Sequence, residues 1–185
     1  CDEFGMGSAN TNSYFGPVKN AADESKISGG SSGGAAVSVQ TNTCLIAMGT
    51  DTGGSVRQPA SMCGVYGFKP GYGMVSRNGL IAYASSFDQL GIIAKNAEDI
   101  GIIMSVVSKT DQYDATMYQK DLFADQTSLD NQAINSLKIA YITEAFENEA
   151  LDQEIKSAGY QFLEELRSKG ATVEGIQFKL LEYVV

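Results

Sequence analysis

Two serines set among glycines carry the chemistry open to this sequence: Ser55 in TDTGGSVRQP and Ser31 in GGSSGG, 24 residues earlier. A serine at the end of a tight glycine turn presents its hydroxyl with little steric cover. The successive N–H groups of Thr52, Gly53, Gly54 and Ser55 can converge on one point beside it. A nucleophile next to donors for a tetrahedral oxyanion is what acyl transfer requires. A serine hydroxyl is a poor nucleophile without a base, and the sequence contains no histidine. A Ser–His–Asp triad is therefore excluded within these residues, and the base is Lys, Asp or Glu, or lies outside them. Ser31 is placed to relay a proton between Ser55 and such a base. Taken alone, it reads first as a hydroxyl capping the helix that follows.

Ordered glycine costs backbone entropy, so a cluster of it needs a reason. One reason is that backbone N–H groups must approach a ligand closely, as in anion nests and oxyanion holes. A flexible Gly/Ser linker is the other reading. Against it, AVSVQ and CLIAMGT interleave core-type residues with the glycines, and Asp51, Arg57 and Pro59 punctuate the run. Asp51 and Arg57 flank the Ser55 turn and suit an ion pair that braces it. A phosphate-binding module is a rival reading of the same turns, but GGSSGG lacks the GK[ST] ending of a P-loop and DTGGS follows no GxGxxG.

The two serine turns need a scaffold, and 185 residues with 43% hydrophobic and 19% charged content suffice for one with a real core. A net charge of −9 argues against gripping a phosphate backbone directly. No apolar run approaches the ~18 residues of a membrane span. The three cysteines, Cys1, Cys44 and Cys63, have no metal-type spacing and read as reduced thiols. With no initiator Met and an end inside the apolar run LLEYVV, the sequence reads as an internal fragment.

Residues 1–27, rich in Gly, Asn and Ser, read as a short helix or turn and then an irregular loop that packs on the core through Phe4, Met6, Tyr14 and Phe15. AAVSVQ starts a helix whose positive end faces the serine loop. CLIAMGT (44–50) reads as a buried strand, VYGFKP (65–70) as a second strand closed by proline, and FDQLGIIA (87–94) as a third. Residues 71–86 suggest loop and short strand. Asn96 caps a helix whose apolar face carries Ile100, Ile103, Met104 and Val107. Residues 109–136 read as a polar surface excursion. LKIAYI (137–142), a helix from about Asp152 to Ser168 closed by Gly170, and ATVEGIQF (171–178) form a strand–helix–strand unit with parallel strands. The fold class is α/β, one domain spanning 1–185 and incomplete at both ends, with a Ser/Gly-rich core over 1–95 and the strand–helix–strand unit over 137–178.

GGSSGG followed by TDTGGSVRQPASMCGVYGFKP resembles the amidase signature family. DEFGMGSANTNSYFGPVKN, GYGMVSRNGLIAYASSFDQLG and SLKIAYITEAF resemble, within it, the glutaminase subunits of glutamyl-tRNA(Gln) amidotransferases. The resemblance covers essentially the whole sequence. It implies the amidase-signature fold, a mixed sheet flanked by helices, and a Ser–cis-Ser–Lys triad. Ser55 matches the nucleophile that forms the acyl ester, Ser31 the bridging serine with its cis peptide, and Thr52, Gly53, Gly54 and Ser55 the oxyanion hole. The family's lysine belongs ahead of Cys1, so the fragment alone is expected to be inactive. Lys19, Lys26 and Lys69 are not its replacements.

By the same resemblance Met6, Gly7 and Ser8 lie beside the glutamine pocket, with burial for packing as the alternative. Phe87, Asp88 and Gln89 lie near the site, Asp88 in a structural role first. Tyr72 and Tyr83 have no readable role, and ligands for the glutamine α-groups are expected after Val185. The implied partners are the other subunits of a heterotrimer, glutamine, and Glu-tRNA(Gln) held by another subunit, where ATP and Mg are used. No cofactor or metal is expected in this chain, no membrane contact either, and the implied location is cytoplasmic. Rivals are a stand-alone amidase acting on small amides and an inactive assembly subunit.

Overall fold

In the computed structural model, which describes residues 1–118 and 134–183, the GGAAVSVQ segment is helix α1 (Gly33–Gln40). The apolar run behind it is strand β1 (Ile46–Asp51). A short helix that periodicity does not reveal, α2 (Arg57–Met62), follows the Ser55 turn. Pro59 is tolerated there because a first-turn residue has no intrahelical use for its N–H. Strands β2 (Tyr66–Phe68) and β3 (Gln89–Ala94) complete an antiparallel sheet of order β1-β3-β2, with Asp51 opposite Gln89 and both Ile46 and Tyr66 opposite Ala94.

Strand β3 lies between the other two and is buried almost throughout, which explains its unbroken apolar reading. Its side chains alternate between two cores. Ile93 packs with Ala36 and Val39 of α1 and with Val56, Ala60 and Cys63. Ile92 and Ala94 pack on the other face with Val75 and with Ile100 and Met104 of α3 (Ala97–Val107). Asn96 caps α3 as its sequence requires, Oδ1 accepting from Asp99 N at 2.7 Å. Helices thus cover both faces of the sheet, with the Ser31 and Ser55 turns at one end of β1.

Three expectations need correction in this unit. Phe4, Met6, Tyr14 and Phe15 are not apolar anchors: they are 60%, 53%, 88% and 93% exposed. The first 27 residues are held instead by the buried polar side chains of Asp2, Asn10 and Asn20, which satisfy loop backbone groups that lack ladder partners. Strand β1 is only half-buried, with Met48 and the preceding Leu45 exposed, because it is an edge of this sheet among the described residues. Residues 71–86 form no strand. Their backbone groups bond across local turns and to side chains, Leu80 N donating to Arg77 O, Gly73 N to Gln89 Oε1 and Gln89 Nε2 to Val75 O.

Part of the expected excursion at 109–136 lies outside the described residues. Its described beginning is not wholly superficial, since Asp114 and Met117 are buried. The Thr116 hydroxyl and the Arg77 N–H hold the Asp114 carboxyl below the usual carboxylate range.

By its contacts the chain divides into two compact units, Cys1–Gln126 and Thr127–Val185. In the second, β4 (Lys138–Ile142) pairs in parallel with β5 (Thr172–Ile176), and Lys138 lies opposite Thr172. Between them run a one-turn helix, α4 (Thr143–Phe146), and the crossover helix α5 (Gln153–Ser168). Asp152 Oδ1 caps α5, and Gly170 follows it at φ +95°, a left-handed conformation suited to glycine. Leu163, Ala171 and Val173 form its core with Ile139, Tyr141, Phe146 and Tyr160. Among the described residues no helix is long and apolar enough to cross a membrane.

Candidate active site

The two serine turns meet directly: Ser32 N donates to Ser55 O at 3.0 Å, and Ser32 Oγ to Thr50 O at 3.4 Å. The approach requires glycine at 49, where a Cβ would lie 2.4 Å from Ser32 Oγ. Ser31 is buried and Ser55 half-buried. Ser32, not Ser31, precedes α1, and it makes no side-chain capping bond.

Asp51 organises the Ser55 turn. Fully buried, it accepts from Gly54 N (2.9 Å), Val56 N (3.1 Å) and Arg57 N (3.3 Å), and from Arg57 Nε (3.0 Å) and Nη2 (2.9 Å). Burial pushes its carboxyl up, but the Arg57 guanidinium and the Val56 N–H outweigh burial and hold it below the usual range. The same bond raises Arg57. The expected brace is therefore an ion pair plus a backbone clasp. The expected set of oxyanion donors needs one correction: the Gly54 N–H is committed to Asp51, because a buried carboxylate must be satisfied by nearby donors. Thr52, Gly53 and Ser55 remain from that set.

The Gly30–Ser31 peptide bond is cis. Ser31 O accepts from Asp2 N at 2.9 Å and Asn10 Nδ2 at 3.4 Å. Gly30 O and Ser8 O both lie 2.9 Å from the end of the Gln58 side-chain amide. Two carbonyls this close to one amide terminus require it to be the nitrogen, so Gln58 Nε2 donates to both. The Gly30 N–H, farther from that terminus at 3.3 Å, is the weaker contact and yields to them. Asp2, whose carboxylate accepts from Asn10 N and Asn12 N, packs beneath this loop, and a Cβ on Gly30 would come within 2.2 Å of Asp2 Oδ2.

A pocket of about 350 Å³ is lined in part by Phe4, Gly5, Thr50, Ile81, Tyr83 and Asp88, and of these Gly5 approaches the Ser31 side chain. A Cβ on Gly5 would lie 3.9 Å from Ser31 Oγ. Met6, Gly7 and Ser8 are not among the residues that line this cavity. Gly7 packs on Asp2, Ser8 presents its carbonyl to Gln58, and the lining comes from Phe4 and Gly5. Asp88 is buried and accepts from Thr52 Oγ1 (2.5 Å), Tyr83 N (2.8 Å) and Ala84 N (3.0 Å), tying the pocket's wall to the Ser55 turn. Phe87 is exposed and Gln89 is engaged with the 73–75 loop. Tyr72 donates to Ser85 O and stacks under Arg77, whose guanidinium carbon lies 4.4 Å from the ring centre.

Lys19 and Lys26 pair with Glu24 and Asp23 at the surface, and Lys69 donates to Pro70 O. None of these bonds reaches the serines. The cysteines are free, and burial pushes the Cys63 thiol up. Among the described residues no group of three or more His, Cys, Asp or Glu side chains is arranged to hold a metal ion. Sequence reasoning missed Asp2, Asn10 and Gln58, whose partners lie up to dozens of residues away. The only local signal was unexplained polar residues beside recognised motifs.

The family model described as Amidase matches residues 1–185, across both compact units. The A subunit of glutamyl-tRNA(Gln) amidotransferase from Chlorobaculum tepidum is 41% identical over 184 residues, and that from Fusobacterium nucleatum 48%. These alignments take in 100% of this chain but only 38% and 37% of those proteins. The crystal structure of the corresponding A subunit from Thermotoga maritima superposes with a TM-score of 0.91 at 41% identity, covering 98% of this chain and 40% of that one. A structure described as a bacterial aryl acylamidase of the amidase signature family superposes at 0.82 with 29% identity, over 96% of this chain and 36% of that one. The α/β fold, the glycine-bound serine turns and a match along the whole sequence agree: this chain belongs to the amidase family.

Proposed function

We infer that this chain is the serine-bearing part of a glutaminase subunit that supplies ammonia to a tRNA-dependent amidotransferase. The observation that carries the reading is the direct bond between the Ser31–Ser32 and Ser55 turns, in a chain that aligns throughout with the A subunits of such enzymes. Ser55 Oγ attacks the side-chain carbonyl carbon of glutamine as its proton passes to Ser31 and on to a lysine supplied from outside these residues. The N–H groups left around the Ser55 turn hold the oxyanion. Collapse of the tetrahedral intermediate breaks the C–N bond, Ser31 returns a proton to the leaving nitrogen, and ammonia departs. Water then cleaves the acyl ester to release glutamate.

Ammonia passes to a partner subunit, where Glu-tRNA(Gln) becomes Gln-tRNA(Gln) with the use of ATP and Mg. The net charge of −9 supports leaving tRNA to that partner. Protein synthesis implies a cytoplasmic location. The test follows ammonia release from glutamine by the full-length protein, with and without partner subunits and Glu-tRNA(Gln). Release should depend on the partners and vanish in Ser55→Ala. Strong partner-free release from many simple amides points instead to a stand-alone amidase, and release indifferent to Ser55→Ala refutes the nucleophile.

A further inference from the structure

We propose that Gln58 is the positioning residue that sets Ser31 against Ser55, acting through the Gly30 carbonyl. Gln58 lies three residues after the nucleophile, in the first turn of α2, so its backbone moves with the Ser55 turn. Its side chain crosses 28 positions of sequence to donate to Gly30 O, the carbonyl of the cis peptide that carries Ser31, and to Ser8 O. The opposite connection runs through the backbone, Ser32 N to Ser55 O at 3.0 Å. Ser31 is thus spanned on both sides by bonds to the nucleophile's own segment.

Ser31 O is separately pinned by Asp2 N and Asn10 Nδ2. Those bonds fix the loop to the amino-terminal segment, not to Ser55. Of the side-chain bonds to this peptide, that of Gln58 is the one that reports the position of the nucleophile turn. A proton relay needs donor and acceptor oxygens within hydrogen-bond reach, and small displacements are costly.

The proposal rests on the relay role of Ser31 set out above, and the experiment separates the two. In the full-length protein with its partner subunits, glutamine hydrolysis is compared with hydrolysis of the p-nitrophenyl γ-ester of glutamate. The phenolate leaves without receiving a proton, so the ester depends less on the relay. Gln58→Met keeps length without a donor. It should lower kcat for glutamine roughly tenfold, about 1.4 kcal/mol at the transition state, with KM within about twofold and a smaller loss on the ester.

Gln58→Glu turns a carboxylate toward two carbonyl oxygens at neutral pH but donates one bond when protonated. Its kcat relative to Gln58→Met should therefore rise from about pH 8 to about pH 6. Equal losses on both substrates, a change confined to KM, or a flat ratio across that range overturns the assignment. Ser31→Ala is the reference: if it leaves glutamine hydrolysis intact, the relay reading fails and this proposal with it. If Ser31→Ala suppresses the amide reaction while Gln58→Met does not, only the role of Gln58 is overturned.

Discussion

Replacing Asp51 with Asn preserves shape and removes the charge at the centre of the Ser55 turn. Each carboxylate oxygen faces only donors: Oδ1 takes Gly54 N and Arg57 Nη2, and Oδ2 takes Val56 N, Arg57 N and Arg57 Nε. Whichever way the Asn amide turns, its NH2 meets at least one backbone N–H. The cheaper choice puts NH2 at the Oδ1 position, because Arg57 is 51% exposed and water can take over its freed Nη2. The stranded Gly54 N–H then costs about 1–2 kcal/mol. The remaining three bonds lose the acceptor's negative charge at roughly 0.5 kcal/mol each, for a total of about 3 kcal/mol.

The pH dependence supplies a second check. The folded pKa of Asp51 lies below the ordinary carboxyl value of 3.8, so its contribution is complete above that value and is lost as pH falls through the folded pKa. Asn does not titrate. Urea unfolding should therefore show wild type and Asp51→Asn separated by about 3 kcal/mol at neutral pH, with the gap closing below about pH 4. A gap under about 1 kcal/mol at neutral pH, or one unchanged down to about pH 3, would refute the clasp as described.

Gly30→Ala places a Cβ within 2.2 Å of Asp2 Oδ2 and 2.9 Å of Asn10 N. One of these neighbours is backbone and cannot swing aside, so the change should destabilise the serine loop by about 1–3 kcal/mol in denaturant unfolding. Tyr160 donates to Glu147 Oε1 at 2.6 Å, and that bond pushes its hydroxyl pKa up to about 12. Ultraviolet titration should find one late tyrosine that Tyr160→Phe removes. Because the folded value is the higher, the bond's support is present below about pH 10 and is lost as pH rises toward 12.

The elements whose residues pack against near neighbours were legible in the sequence. Asn96 announces α3 because a capping side chain bonds its own helix. The parallel pairing of β4 and β5 follows from a helix spaced to cross between them. Helix α2 was not legible, since six residues with a proline show no period. The exposed Tyr14 and Phe15 misled because composition cannot say which apolar side chains a loop turns inward.

By itself the sequence brought out a candidate site for acyl transfer: two serines in glycine turns, no histidine, and an Asp and an Arg placed to brace the Ser55 turn. These are local properties of residue type and spacing. Only the tertiary structure decided which N–H groups remain for an oxyanion, because Asp51 claims Gly54. It also decided that Phe4 and Gly5 line a cavity with Thr50 and Asp88, and that Gln58, Asn10 and Asp2 secure the cis peptide. Each of these depends on contacts between segments distant in the chain, where a buried donor or acceptor takes whatever partner the packing brings within reach.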